Sequence, residues 1–263
     1  MSIFQAIILG IIEGLTEFLP ISSTGHMILA SAMMNMQDTE FTKTFEIAIQ
    51  LGAILAVVFA YYKRFLVGLN IYLKLGVAVI PVLILGKLIY KTLKAHLLNP
   101  FVVSITLVAG GIILIMLDKW SAKENSKYSE TEDVTYKDAF KIGLFQCISL
   151  IPGVSRAAAT IFGGIFSGLN RKQAAEFSFL LAIPTMMAAT GYDLMKTEAH
   201  LGKQEWTMLF IGGAVAFVFA LLAVKTFIAF VTKYGFKHFG YYRIILGILF
   251  LVVSLMMGLN LQS

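Results

Sequence analysis

Two carboxylates lie in a stretch of this chain that otherwise has the composition of a membrane-buried segment. The residues from Ile3 to Leu15 are almost wholly apolar, and Glu13 and Glu17 lie at the end of this stretch. A charge at membrane depth is costly and generally faces a cavity or the interior of a helix bundle. The i,i+4 spacing places both carboxylates on one face of a helix, about one turn apart. We therefore take this pair as a candidate catalytic site.

Neighbouring carboxylates in an apolar setting cannot both ionise without a compensating charge. One of Glu13 and Glu17 then holds a proton, or a cation lies between them. A held proton suits acid–base catalysis. A cation suits a site in which Mg²⁺ or Ca²⁺ is bound by a few carboxylates and by phosphate oxygens of a substrate. The alternative is a pair of interfacial glutamates that face lipid headgroups near a helix end.

A short polar loop follows the acidic pair directly. After Pro20, the hydroxyls of Ser22, Ser23 and Thr24 are available to cap the next helix or to contact a substrate. His26 supplies the imidazole nearest to the carboxylates in sequence. We assign it a proton-transfer or nucleophilic role, with a purely structural histidine as the alternative.

A second polar break lies near the middle of the chain and is basic rather than acidic. Pro152 and Gly153 predict a turn, and Ser155 is placed to cap the helix that follows. The free amides of that helix start and the guanidinium of Arg156 together form a phosphate receptor. Thr160 lies one turn further on and offers a hydroxyl. The alternative is an arginine at the membrane surface.

The composition is that of a membrane protein. Hydrophobic residues make up 58% of the chain and charged residues only 14%, whereas a soluble domain is about one quarter charged. Strands of an outer-membrane barrel would alternate apolar and polar residues, and these runs do not. We therefore predict an all-α, polytopic helical membrane protein. Its candidate spans, each near the ~20 residues needed to cross a bilayer, are Phe45–Tyr62, Ile71–Tyr90, Phe101–Leu117, Ala174–Leu194, Met208–Val224 and Tyr241–Leu259.

Charge and cysteine content exclude several classes of function. The net charge is +6, but the basic residues mostly flank apolar runs, as the positive-inside bias and headgroup contact require. No basic run is interleaved with aromatic residues in a way that indicates nucleic acid. Cys147 is the single cysteine, which excludes an intrachain disulfide and a cysteine metal cluster.

The chain divides into two similar halves, about 1–117 and 139–263, joined by a charged, soluble loop at 118–138. Each half contains a short apolar helix, a Pro/Ser break, another short helix and a long span that opens with a glutamate. Glu46 follows Pro20 by 26 positions, and Glu176 follows Pro152 by 24. These two glutamates are candidate partners of Arg156 or simple helix N-terminal charges.

The first helix of each half, Ile3–Leu19 and Phe140–Ile151, is marginal or too short to cross a membrane. Breaks at membrane depth are tolerated where protein or a water-filled cavity surrounds them, which favours two re-entrant helix–loop–helix hairpins. Paired broken segments also indicate a site between inverted repeats. A parallel repeat would produce the same similarity between the two halves of the sequence.

Two long motifs carry a resemblance to a known family. Residues 13–26 read EGLTEFLPISSTGH, and residues 152–156 read PGVSR, followed by Thr160. The first resembles the acidic signature of the undecaprenyl-diphosphate phosphatases of the bacitracin-resistance type, and the second resembles their other signature. The flanking segments, which begin at Lys43 and at Glu176, are similar as well. The family commonly has Ser-Gly after the arginine, where this chain has Ala157 and Ala158.

The resemblance implies a plasma-membrane enzyme that hydrolyses undecaprenyl diphosphate, which bacitracin sequesters, to the monophosphate carrier for peptidoglycan and other envelope polymers. It also implies an outward-facing site formed by two re-entrant hairpins and dependence on a divalent cation, Mg²⁺ or Ca²⁺, held by Glu13 and Glu17. The catalytic residues that it implies are Glu13, Glu17, Ser23, His26, Ser155 and Arg156. Those that we expect to bind substrate are Arg156, Thr160, Ser22, Thr24 and Gly153.

Two hypotheses from different classes follow. The first is diphosphate hydrolysis, with water, His26 or Ser23 as the nucleophile and with the prenyl chain among the apolar spans. The second is a transporter or flippase of an anionic lipid or ion, since inverted repeats and broken helices are also transporter features. The expected partners are a polyprenyl diphosphate, the lipid bilayer and a second copy in a homodimer, with no nucleic acid.

Overall fold

The computed structural model of the chain describes residues 1–36, 39–66, 68–96, 100–121, 126–196 and 201–256. Over these ranges the regular structure is entirely helical, which confirms the predicted all-α class. Three short 3₁₀ turns, Tyr62–Leu66, Thr131–Asp133 and Cys147–Leu150, supplement the α-helices. The helices are α1 (Ile3–Thr16), α2 (Ser23–Met33), α3 (Glu40–Tyr61), α4 (Leu69–His96), α5 (Pro100–Ser121), α6 (Tyr136–Gln146), α7 (Arg156–Phe166), α8 (Arg171–Lys196), α9 (Lys203–Tyr234) and α10 (Lys237–Met256).

Six of the described helices, α3, α4, α5, α8, α9 and α10, are long and apolar enough to cross a membrane. They coincide with the six predicted spans, and most extend beyond them at one or both ends. The last predicted span ran to Leu259, and residues 257–263 lie outside the described ranges. The predicted loop at 118–138 is narrower, since α5 continues to Ser121 and α6 begins at Tyr136; its residues 122–125 also lie outside the described ranges.

The two glutamates predicted to open long spans lie instead in the second turns of those helices. For Glu46, the reason is that Thr39 caps α3, its side chain accepting a hydrogen bond from the backbone amide of Thr42. For Glu176, a reciprocal pair starts α8: Asn170 Oδ1 accepts from the amide of Gln173, whose side chain accepts from the amide of Asn170.

The same capped turn occurs at both Pro/Ser breaks. Ser22 precedes α2 with φ of 69°, and Ser155 precedes α7 with φ of 73°. Each side-chain oxygen accepts a hydrogen bond from an amide in the first turn of its helix, that of Gly25 and that of Ala158. Because positive φ is strained for serine, its recurrence at both breaks indicates a specific loop geometry rather than a random interruption.

The packing of the helices falls into matched pairs. α1 packs against α9 as α6 packs against α4, α3 packs against α8, and α5 packs against α10. Exchanging the two halves of the chain maps the α1–α9 contact onto the α6–α4 contact and maps the other two contacts onto themselves. This pattern supports the predicted repeat of halves 1–117 and 139–263, which stays a prediction, as do the re-entrant hairpins.

Glycine allows the closest of these approaches. A Cβ on Gly14 of α1 would lie 2.5 Å from the carbonyl oxygen of Ala216 on α9. Gly52 of α3 likewise faces the backbone of Gly213 on α9, with no room for a side chain. Both α1 and α3 therefore contact α9 almost backbone to backbone, which fixes the position of the acidic break at the end of α1.

One carboxylate anchors the described part of the long connector to α6. Asp138 accepts hydrogen bonds from Lys141 at 2.8 Å, Lys127 at 2.9 Å and Thr135 at 3.1 Å, and also from the hydroxyl of Tyr128. Burial alone would raise the pKa of Asp138, but these donors outweigh it and hold that pKa well below its usual range. The connector is therefore tied to the start of α6 by charge-assisted hydrogen bonds.

Candidate active site

The two Pro/Ser breaks meet inside the helix bundle. Arg156 Nη2 lies 3.1 Å from Glu17 Oε1, and both side chains are only about one-tenth exposed. Arg156 Nη1 donates to the carbonyl oxygen of Ser178 on α8 at 3.1 Å, and the guanidinium lies over the ring of Phe18, 5.6 Å from its centroid. An acidic residue of the first half and a basic residue of the second half therefore form one site.

Ser23 completes this cluster. Its hydroxyl donates to Glu17 Oε2 at 2.5 Å, so one carboxylate oxygen of Glu17 binds the serine and the other binds Arg156. A hydroxyl hydrogen-bonded to a carboxylate is the arrangement of a nucleophile and its general base. Of the candidate nucleophiles named from the sequence, Ser23 has this geometry.

A cavity of about 560 Å³ opens beside the cluster. Its volume lies within the range of small-molecule sites. One wall is apolar and includes Val82 and Leu83 of α4 and Met186 of α8. These wall residues closely follow Pro81 and Pro184, prolines inside α4 and α8. The polar wall is formed by Glu17, Ser22, Ser23, Thr24, Gly153, Ser155 and Arg156.

Glu13 lies behind this wall and does not line the cavity. It is almost fully buried, and its Oε1 atom has no hydrogen-bond partner among the described residues. Among the described residues, the charges that act on it are those of Glu17, Glu46 and Arg156. A buried carboxylate oxygen without a donor needs a proton or a cation.

The predicted divalent cation fits this donor set. Glu13 and Glu17 offer carboxylate oxygens, which Mg²⁺ and Ca²⁺ prefer. Within the described ranges, no group of three or more His, Cys, Asp or Glu side chains gathers to hold a metal. An ion at Glu13 and Glu17 would therefore take its remaining ligands from water and from phosphate oxygens, and the metal site stays a prediction.

His26 is turned away from the cavity. Its Nδ1 atom is 2.7 Å from the carbonyl oxygen of Ser22, and its Nε2 atom is 2.7 Å from the hydroxyl of Tyr242 on α10. The imidazole also stacks on the Tyr242 ring, with 5.6 Å between centroids. Both ring nitrogens are thus engaged by the protein, and the structure does not bring His26 to the carboxylates that precede it in sequence.

Thr160 also faces protein rather than the cavity. Its hydroxyl contacts the carbonyl oxygen of Arg156 at 2.9 Å and the hydroxyl of Ser178 at 2.7 Å. The bond to Ser178 holds α7 against α8 beside the guanidinium, so substrate binding by Thr160 has no contact to support it here. Ala157 and Ala158, which depart from the family pattern, are buried and do not line the cavity.

The alternative in which Glu46 or Glu176 is a partner of Arg156 is wrong for Glu176. Its Oε2 atom lies 3.3 Å from Arg64 Nη2 and accepts a hydrogen bond from Thr131 at 2.8 Å. Glu46 accepts a hydrogen bond from Ser31 on α2 at 2.8 Å. Because Glu176 lies near the start of α8, it faces the connector rather than the break that holds Arg156.

Arg243 is the residue that the sequence analysis missed. It is fully buried on α10, and Nη1 donates to the carbonyl oxygens of Pro20 at 3.0 Å and Val154 at 2.9 Å. Nη2 donates to those of Gly153 at 2.9 Å and Thr106 at 3.1 Å. One guanidinium therefore holds the backbone of both breaks. The signal in the sequence was a lone arginine within the apolar span from Tyr241.

Comparison with known proteins gives one consistent result. Residues 6–249 match the family described as bacitracin resistance protein BacA. The chain is 52% identical over 263 residues to the undecaprenyl-diphosphatase of Bdellovibrio bacteriovorus, covering 100% of this chain and 99% of that protein. It is 55% identical over 256 residues to the undecaprenyl-diphosphatase of Flavobacterium psychrophilum, covering 96% of each. The chain therefore belongs to the bacitracin resistance protein BacA family.

Proposed function

We propose that this chain hydrolyses undecaprenyl diphosphate to undecaprenyl phosphate and inorganic phosphate, and so returns the lipid carrier to peptidoglycan and envelope polymer synthesis. The observation that carries the proposal is the contact of Arg156, Glu17 and Ser23 at the wall of a cavity that is otherwise largely apolar. Such a cavity suits an anionic head on a prenyl chain. The names of the related undecaprenyl-diphosphatases support the same substrate. By removing the diphosphate that bacitracin sequesters, the reaction confers resistance.

Substrate binding begins with the guanidinium. Arg156 presents a planar set of donors that matches phosphate oxygens, and in the free protein one of these donors is held by Glu17. An incoming diphosphate competes with Glu17 for that donor. Once the guanidinium binds phosphate, Glu17 loses part of its positive partner and becomes a stronger base for the Ser23 proton.

The chemical step follows from the Ser23–Glu17 hydrogen bond. Glu17 takes the hydroxyl proton as Ser23 Oγ bonds to the terminal phosphorus, and the bond from that phosphorus to the bridging oxygen breaks. Undecaprenyl phosphate leaves with the bridging oxygen. Water then attacks the phosphoserine, inorganic phosphate is released, and Ser23 regains a proton. Arg156 stabilises the negative charge of the transferring group, since phosphoryl transfer relies on positioning and charge stabilisation.

A divalent cation would be held by Glu13 and Glu17. When bound, it would neutralise charge on the phosphate oxygens. The residues of the chain keep the roles given above: Arg156 orients the phosphate, Glu17 handles the proton, and Ser155 and Thr24 present hydroxyls to the cavity.

We place the protein in the bacterial plasma membrane as a multi-pass protein with its active site on the outer side. Two features support one-sided access: the cavity lining runs along α4 to Lys87 and along α8 to Asp193, towards the C-terminal ends of both helices. The assembly we expect is a homodimer, which light scattering of the purified protein in detergent would measure.

The decisive experiment uses purified protein in detergent and undecaprenyl diphosphate labelled at the terminal phosphate. Wild type should release inorganic phosphate and, after a rapid quench, retain label in an acid-stable form on Ser23. Ser23→Ala should lose both signals. Label that survives alkali but not acid would assign the nucleophile to His26, and turnover without labelled protein would assign it to water. A wild type that releases no phosphate but moves lipid between bilayer leaflets would favour the transporter hypothesis instead.

A further inference from the structure

The cavity has one end near the C-terminal ends of α4 and α8, which we call its outer end. This end carries a lysine that the mechanism above does not use. Lys87 of α4 lines the same cavity as Arg156, and Tyr192 and Asp193 of α8 line it as well. From Val82 to Lys87, α4 advances about 7.5 Å, and from Met186 to Asp193, α8 advances about 10 Å. Lys87 and Asp193 therefore lie beyond the apolar wall, further from the starts of their helices than the residues that form it.

The charges that line this cavity make Lys87 significant. Among the described residues that line it, the cations are Arg156 and Lys87. Arg156 is already paired with Glu17. Lys87 therefore adds a second positive charge to the cavity that holds Arg156, and that charge attracts an anionic head that enters it.

Its surroundings leave Lys87 available for an anion. The side chain is exposed, and the neighbouring Gly86 adds no side chain between the helix backbone and the cavity. A lysine presents a compact ammonium on a flexible stem, so it can follow a moving phosphate group. Charged groups in a cleft with low-dielectric walls also raise the local concentration of an oppositely charged substrate.

We propose that Lys87 is a second anion-binding position at the outer end of the cavity. It contacts phosphate oxygens of the diphosphate as the substrate moves towards Arg156, and it contacts the inorganic phosphate as this product leaves. The inference rests on the proposed function for its substrate. Unlike Glu17 and Ser23, Lys87 contacts the diphosphate in binding and takes no part in the chemical step.

The test compares Lys87→Met and Lys87→Arg with a matched control, Lys203→Met, at an exposed lysine that does not line the cavity. In phospholipid-free detergent, Lys87→Met should raise both the KM for undecaprenyl diphosphate and the Ki of inorganic pyrophosphate about tenfold, the expected loss for one charge-assisted contact. The kcat should stay within about twofold, because the contact is made in binding. Lys87→Arg should restore most of the affinity, and Lys203→Met should match wild type.

Three outcomes would overturn the inference. Unchanged KM and Ki in Lys87→Met would show that the ammonium does not contact the anion. An effect seen in phospholipid vesicles but absent in detergent would assign Lys87 to lipid headgroups instead. A loss confined to kcat would also contradict a role in binding. If wild type releases no phosphate at all, the proposed function fails, and pyrophosphate binding measured by thermal shift still tests Lys87.

Discussion

Arg156 Nη2 and Glu17 Oε1 are 3.1 Å apart, although 139 positions separate the two residues in the chain. The contact joins the two breaks in the apolar sequence, one from each half. Neither half alone contains both the base and the phosphate-binding group. Both side chains of this ion pair are only about one-tenth exposed. Removing one of them is costly, because the other charge then stays buried without its partner.

Glu17→Gln should abolish most of the activity. Glutamine retains the shape of the side chain but cannot take the Ser23 proton, and general-base catalysis contributes about 100-fold or more to a rate. We expect kcat for phosphate release to fall by at least that factor, measured on the purified variant. Glu40→Gln, at an exposed glutamate in the first turn of α3, is the matched control. A Glu17→Gln enzyme with wild-type turnover would rule out the proton-transfer role.

Arg243→Lys should damage the site without removing the positive charge. A lysine has one nitrogen and cannot reach the backbone carbonyls of Pro20, Gly153 and Val154 together. Buried carbonyls left without a donor cost about 1–3 kcal/mol each. We expect kcat/KM to fall at least tenfold while helix content by circular dichroism stays unchanged. Lys225→Arg, at an exposed position on α9, is the control, and equal activity of Arg243→Lys and wild type would contradict the role of Arg243 as the link between the breaks.

Asp138 should make the stability of the folded protein fall at low pH. The pKa of Asp138 is lowered in the folded protein, so its contribution is fully present above its unfolded pKa, about 3.9, and is lost as the pH falls below that value. Asp138→Asn should cost about 2 kcal/mol near neutral pH, from lost hydrogen bonds to a charged group. In thermal melts, the difference in Tm between variant and wild type should shrink as the pH falls below about 4. A constant difference at all pH values would contradict this assignment.

Removal of divalent cations tests the roles predicted for Glu13 and Glu17. Chelation should suppress phosphate release by the purified protein, and added Mg²⁺ or Ca²⁺ should restore it. In Glu13→Gln, the cation concentration that gives half-maximal activity should rise at least tenfold, because loss of one carboxylate ligand weakens a site with few protein ligands. Full activity in the presence of chelator, confirmed by elemental analysis of the protein, would show that Glu13 holds a proton instead.

The sequence was a good guide to the helices and to the residues that meet at the centre. Long apolar runs predicted the six long helices, and the cost of charge in apolar surroundings singled out Glu17 and Arg156. The sequence did not show that His26 contacts Tyr242 or that Glu13 lies outside the cavity lining, because helix periodicity places residues on a face but does not say which neighbour that face meets. The lone arginine in an apolar span marked Arg243 as unusual, but its partners are backbone carbonyls, which residue types do not reveal.

The link through Arg243 also bears on handling the protein. One side chain of α10 holds both loops and the carbonyl oxygens of Thr106 and Leu107 on α5. A harsh detergent that separates α10 from α5 would therefore abolish enzymatic activity while the rest of the helix bundle stays folded. Loss of function on extraction would then precede melting, and a preparation that looks well folded by spectroscopy would still be inert.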